Sequence, residues 1–217
     1  ANEVVSESPQ AILIEKPVSG INLEGADELL SKAVDNNVSL FVGYDHALSE
    51  SVTKSSSLLL SEDGLGEIQT LDVEFREFWG GIFSAHPWLD GPSDTYLGFW
   101  QDGGGATGEH SHAINLWQHF ARVIGQGRIR EVSATVDYVK SEQVDYDQLS
   151  LMNFKTEHGL VGRCVQDVVT SPVRKYGRVQ GKKGYVEFTL SSTQDHFNHF
   201  VDGNDSLNLS FSKTRPD

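Results

Sequence analysis

The sequence predicts an α/β chain that opens with a parallel βαβ unit and continues as mostly antiparallel strands around a central helix. A short, wholly apolar run, AILI (11–14), and a second apolar strand, VSLFVGY (38–44), bracket a stretch of helical spacing. Apolar runs without alternation suit parallel strands covered on both faces. From residue 68 the pattern changes to strict alternation, first in IQTLDVEFREF (68–78) and then in REVSATVDYV (130–139), as in strands with one solvated face. Between those two strands, Ala113, Leu116, Trp117, Phe120 and Ile124 recur at the spacing of one buried helix face.

Composition bounds what such a chain does. At 217 residues it is long enough to bury a sizeable core as one large or two small domains. A net charge of −14 argues against nonspecific attraction to nucleic acid or an anionic membrane surface. No apolar run has the length of a membrane span, and ANEVVSESPQ lacks the pattern of a secretion signal. The single Cys164 excludes an intramolecular disulfide and fits a reducing, cytoplasmic setting; it lies in GLVGRCVQDVV, where it serves as a small core residue. The start lacks a methionine and the chain stops at KTRPD, so both ends are expected to be cut points within a longer protein.

Taken in order, residues 1–10 form the tail of a helix closed by Pro9. The first strand ends with Glu15, Lys16 and Pro17. A helix is expected from Asn22, which would cap it, with Leu23, Ala26, Leu30, Ala33 and Val34 on its apolar side and Asn36–Asn37 at its end. The second strand ends in Asp45 and His46, so Lys16 and His46 stand at the carboxyl edge of one sheet, where open α/β sheets bind ligands. A helix over 49–60 and a turn at 61–66 (SEDGLG) follow, and a domain boundary falls within 47–66. Residues 79–101 read as a long loop whose aromatics, including Trp79, Trp88, Tyr96 and Trp100, wall a pocket for a ring with apolar faces or pin the loop to the surface. Two hairpins are expected around turns at 157–159 and 181–184, and a last one around 202–205; His196 and His199 are structural.

The stretch DGGGATGEHSHAINLWQHF (102–120) holds the densest chemistry. Three glycines allow close backbone approach, and Glu109, His110 and His112 stand at the start of the central helix. Glu109 and His112, three apart, share one side of the first turn if the helix begins there. An acid beside imidazoles suits proton transfer or ligand binding.

The ordered set ILIEKP (12–17), LEGADELLSKA (23–33), VGYDH (42–46), GEI (66–68), GGG (103–105), HAINL (112–116) and VQGKKGYVEF (179–188) resembles the Gfo/Idh/MocA family of NAD(P)-dependent oxidoreductases over nearly the whole chain. The resemblance implies the last piece of a Rossmann domain (1–47). A substrate-binding and oligomerisation domain (48–217) follows, with an open, mostly antiparallel mixed sheet and helices on one face. It implies hydride transfer between NAD or NADP and a hydroxyl of a sugar, polyol or nucleotide sugar, and homo-oligomers, dimers or tetramers, formed through the sheet. Lys16 matches the lysine that binds substrate and relays the proton, with Glu15 and Pro17 beside it at the cofactor. His112 matches the family's acid/base histidine. His46, Trp79, Trp100 and His110 complete the expected substrate contacts.

Three departures qualify the match. Gly108 stands where the family places an aspartate four residues before the histidine, so Glu109 or His110 is expected to take its role. Asp45-His46-Ala47-Leu48 lacks the arginine of the family's Asn-His-Arg-Phe. The glycine-rich phosphate loop is not in the chain, and GGG at 103–105 is not a dinucleotide fingerprint, so the isolated chain is expected not to bind NAD(P) tightly or to act as a dehydrogenase. Two other readings stand beside this one. One is a metal-dependent enzyme using Glu109, His110, His112 and His119, although residues two apart on a helix diverge. The other is a noncatalytic module for sugar binding or oligomerisation.

Overall fold

A computed structural model describes residues 1–61, 64–203 and 206–213. The chain begins with a short helix, α1 (Asn2–Ser6), then the strands β1 (Ala11–Ile14) and β2 (Ser39–Val42), parallel to one another with Ala11 opposite Ser39. Between them runs α2 (Ala26–Asp35). Val5, Leu29, Ala33 and Val38 form the core of this unit. Only one side of its two-stranded sheet is covered: Leu13 and Phe41 are exposed, contrary to the burial on both faces expected from their apolar runs. Apolarity alone does not say how many layers cover a strand.

The helix starts three residues later than expected. Asn22 accepts from the Glu24 amide in a tight turn rather than capping a helix, Leu23 takes a positive φ of 57°, and Gly25 at φ 74° is the N-cap residue. The register of burial shifts with it, so that Leu29 and Ala33 face inward while Leu30 and Val34 are exposed.

The rest of the chain builds one eight-stranded sheet from β3 (Ile68–Arg76), β4 (Ile129–Lys140), β5 (Asp145–Thr156), β6 (Val161–Asp167), β7 (Arg174–Gly181), β8 (Gly184–Leu190), β9 (Gln194–Val201) and β10 (Leu207–Ser212). Their order is β10-β9-β8-β7-β3-β6-β5-β4; the β3–β6 pair is parallel and every other pair antiparallel. One face carries Leu71, Val73, Phe75, Phe154, Cys164, Val179, Val186 and Phe188. It is covered by α3 (Glu50–Leu59), capped by Ser49, and by α6 (His112–Val123). Ala113, Leu116, Trp117 and Phe120 are fully buried on α6, and Trp117 donates its indole N–H to the Leu71 carbonyl at 3.0 Å. The indole therefore fixes the helix to the central strand with its one polar atom satisfied. The opposite face is charged, with Asp72, Glu74, Arg163, Arg174 and Arg178 in ion pairs, and Arg178 stacked on Tyr185.

Residues 79–101 are not one irregular loop. They form α4 (Trp79–Ser84) and short 3-10 turns at Pro92–Asp94, Tyr96–Gly98 and Trp100–Asp102. Trp79 belongs to a second small core with Leu97, Ala106, Tyr146 and Val168. The expected hairpin turns at 157–159 and 181–184 join the predicted strands. Residues 62–63 of the 61–66 turn and 204–205 of the last hairpin tip lie outside the described residues. Among the described residues no helix is long and apolar enough to cross a membrane.

Candidate active site

Three segments meet beside the carboxyl ends of the short strands: the Glu15–Pro17 turn after β1, the 3-10 turn Asp45–Leu48 after β2, and the junction of α5 (Gly105–Glu109) with α6. Glycine makes the junction compact. Gly105 has a φ of 79°, and a Cβ there would strike the Asp147 carboxylate, which holds α5 by accepting from the Thr107 amide and hydroxyl at 2.8 and 2.7 Å. Gly103 lies against Pro17. The glycines thus fold the segment onto its own protein, which brings Glu109 and His112 to the strand-end residues.

Glu109 ends α5, and α6 begins only at His112, so the two do not share a first helical turn as the sequence suggested. The break sends them to different partners. The Lys16 ammonium bonds the Glu109 carboxylate at 2.9 Å and the Glu109 carbonyl at 3.0 Å. Burial opposes ionisation of Glu109, but the Lys16 charge and hydrogen bond outweigh it and hold its pKa below the ordinary value. The same two charges act on the Tyr96 phenol, whose pKa is raised chiefly by burial.

His112 turns toward Asp45 and His46. His46 Nδ1 lies 2.8 Å from Asp45 Oδ1, His112 Nδ1 lies 3.6 Å from the same oxygen, and the two imidazole centroids are 4.4 Å apart. Phe75 and Tyr44 pack on these rings. Burial first, then the neighbouring His46, pushes the His112 pKa down to about 3 despite the opposing carboxylates, so its imidazole is neutral at pH 7. His112 Nδ1 is buried without a hydrogen-bond partner. The ring is therefore neutral, with one buried nitrogen that no hydrogen-bond partner engages.

His110 is buried, and the charges of Glu109, Lys175 and Glu77 act on its ring. Its carbonyl accepts from the buried Gln166 amide, and burial lowers its ring pKa to about 4. Its Nε2 and the Ser111 hydroxyl are also buried without partners, which gathers three orphaned polar groups on consecutive residues. His119, by contrast, is bonded to Ser56 on the far side of α6. The metal set Glu109, His110 and His112 does not converge: among the described residues the one grouping with ligand atoms within 4.8 Å of one another is Asp45, His46 and His112. The carboxylate of Glu109 is committed to Lys16.

Of the other expected site residues, Glu15 lies against Gly43, and Trp100 is half-buried on its 3-10 turn. Trp79 packs in the second core with Leu97, Ala106, Tyr146 and Val168. Sequence reasoning passed over Asp45 as a member of the site. Its only signal was adjacency to His46 at the end of an apolar strand. Tyr96 was one aromatic among many.

No family model matches the sequence, and no curated protein matches it. Solved structures do match. An inositol dehydrogenase homolog from Azotobacter vinelandii complexed with NAD+ superposes with TM-score 0.73 at 19% identity, over 96% of this chain and 52% of that one. The same homolog complexed with NADH and myo-inositol gives 0.71 at 19%, over 96% and 51%. The WlbA dehydrogenase from Bordetella pertussis in complex with NADH and UDP-GlcNAcA gives 0.68 at 18%, over 87% and 51%. The chain spans about half the length of each. The likeness is one of fold, to about half of each of these NAD- or NADH-complexed proteins.

Proposed function

We propose that this chain is the substrate-binding portion of an NAD(P)-dependent oxidoreductase that moves a hydride between the nicotinamide and a hydroxyl-bearing carbon of a sugar, polyol or nucleotide sugar. The observation that carries the reading is the meeting of Lys16, Glu109 and His112 at the strand ends. Likeness in fold to dehydrogenases complexed with NADH and myo-inositol or UDP-GlcNAcA supports the substrate class. Residues 1–47 then form the last part of the cofactor domain, and 48–217 the substrate domain.

Oxidising an alcohol requires a group to take the hydroxyl proton as the hydride leaves for the nicotinamide, the one step that NAD(P) supplies. The neutral His112 imidazole is that acceptor. The Lys16 ammonium, placed by Glu109, binds the hydroxyl oxygen and stabilises the developing alkoxide. Asp45, 3.6 Å from His112 Nδ1, stabilises the imidazolium once formed. Glu109 is a positioning residue for Lys16. The charged sheet face receives a second copy of the chain, and Cys164, buried and unpaired, suits the cytoplasm.

The test is hydride transfer by the gene product that contains this chain, assayed with NAD+ or NADP+ against a panel of sugars and polyols. His112→Gln should lower kcat by about 10²–10⁴-fold, the range for a lost general base. Full activity in that variant, or turnover with no sugar-like alcohol, overturns the reading.

A further inference from the structure

We infer that Asp45, His46 and His112 form a binding site for one divalent cation of the zinc class. The inference goes beyond the hydride-transfer reading and does not depend on it. Two imidazoles and one carboxylate present ligand atoms within 4.8 Å of one another, a donor set that zinc and its neighbours in the first transition row favour. The two spacings to the Asp45 oxygen suit a single ion. With metal–ligand bonds of about 2.1 Å, donors 2.8 and 3.6 Å apart subtend angles of about 84° and 118°. Both lie within the range of tetrahedral and five-coordinate sites.

Two independent features point the same way. His112 Nδ1 is buried with no hydrogen-bond partner, and it faces Asp45 Oδ1 beyond hydrogen-bond reach. The rings are also held in place before any ion arrives: Phe75 packs on the edge of His46, and Tyr44 meets His112 edge to face at 5.4 Å. Such outer packing orients ligands and lowers the ordering cost of binding. Three protein ligands leave a fourth position, and the partly exposed Asp45 side chain marks the open side. An ion on His112 Nδ1 removes that ring as a proton acceptor, so zinc should inhibit the proposed hydride transfer.

The test titrates the 217-residue chain with Co²⁺, without nucleotide or sugar, and follows visible absorption. One equivalent should give the d–d bands of a four- or five-coordinate ion, displaced by one equivalent of Zn²⁺. His112→Gln and Asp45→Asn should each weaken binding at least tenfold, since even outer-shell changes cost that much. His119→Gln, which alters an imidazole bonded to Ser56, should bind as the wild type does. Imidazole nitrogen NMR shifts in the wild type keep the test independent of variant folding: Zn²⁺ should move His46 and His112 and leave His110 and His119 in place. Absence of the bands, bands unchanged in both ligand variants, or shifts at other histidines each overturn the site. A negative outcome leaves the hydride-transfer reading standing, because that reading uses no metal.

Discussion

Lys16 and Glu109 form a 2.9 Å ion pair although 93 positions separate them in the sequence. The pair joins the end of a strand in the small parallel unit to the last residue of α5 above the large sheet, and both side chains are mostly buried. Removing one partner leaves the other charge with little water to replace it.

Lys16→Met should therefore destabilise the chain by about 1–3 kcal/mol, the cost of leaving one buried polar partner unpaired. Lys16→Met combined with Glu109→Gln should recover much of that loss, because no buried charge remains. Urea unfolding of the wild type, both single variants and the double variant gives the coupling. Additive losses would show that the two side chains do not interact.

Asp167 sets an acid limit. Its carboxylate accepts from Arg76 at 2.5 Å, from the Thr170 hydroxyl and from the amides of Val169 and Thr170. Burial opposes ionisation, but these donors together hold its pKa below the ordinary carboxylate value. A depressed folded-state pKa contributes stability above the unfolded value, and that contribution is lost as pH falls through the folded one. Stability should drop on acidification below the usual aspartate range, and Asp167→Asn should remove that part of the slope. An unchanged slope in the variant would place the acid sensitivity elsewhere.

Gly105→Ala meets two obstacles at once. The backbone there has a φ of 79°, and the added methyl group runs into the Asp147 carboxylate that anchors α5. The substitution should cost about 1–3 kcal/mol by overpacking and strain. Gly125→Ala makes a useful comparison, because its φ is 69° but nothing lies within 4 Å of the new atom. It should be milder, and equal melting temperatures for the two would rule out the collision.

Cys164 should be inert in the folded protein. It is fully buried, and burial alone raises its thiol pKa well above the ordinary value, so the reactive thiolate is scarce. A disulfide reagent should label it only at the rate of unfolding. Rapid stoichiometric labelling of the native chain would contradict its placement in the core.

Most of the architecture was legible because it rests on periodicity. The alternation in β3 and the helical spacing of Trp117 and its neighbours describe which side faces the core, and the core chose the same side. The alternation in β4 found no such face: this edge strand is exposed almost throughout, with Val132, Val136 and Tyr138 on the surface. What failed was local. Asn22 has the chemistry of a cap, yet it bonds Glu24 and a glycine takes the cap position four residues before Leu29. The break between α5 and α6 has no breaker residue other than the glycines before it, so Glu109 and His112 looked like neighbours on one helix. Asp45 became visible as a site residue only when the fold set it against His112, an encounter between residues 67 positions apart that spacing does not encode.

The most informative next step is saturation-transfer NMR of the 217-residue chain with myo-inositol and a panel of sugars and nucleotide sugars. At least one should bind, and Lys16→Met and His112→Gln should each weaken it about tenfold or more, as expected for losing a hydrogen bond worth about 1.5–3 kcal/mol. Binding that survives both substitutions undiminished, with the circular dichroism of the variants intact, would place the substrate elsewhere on the molecule.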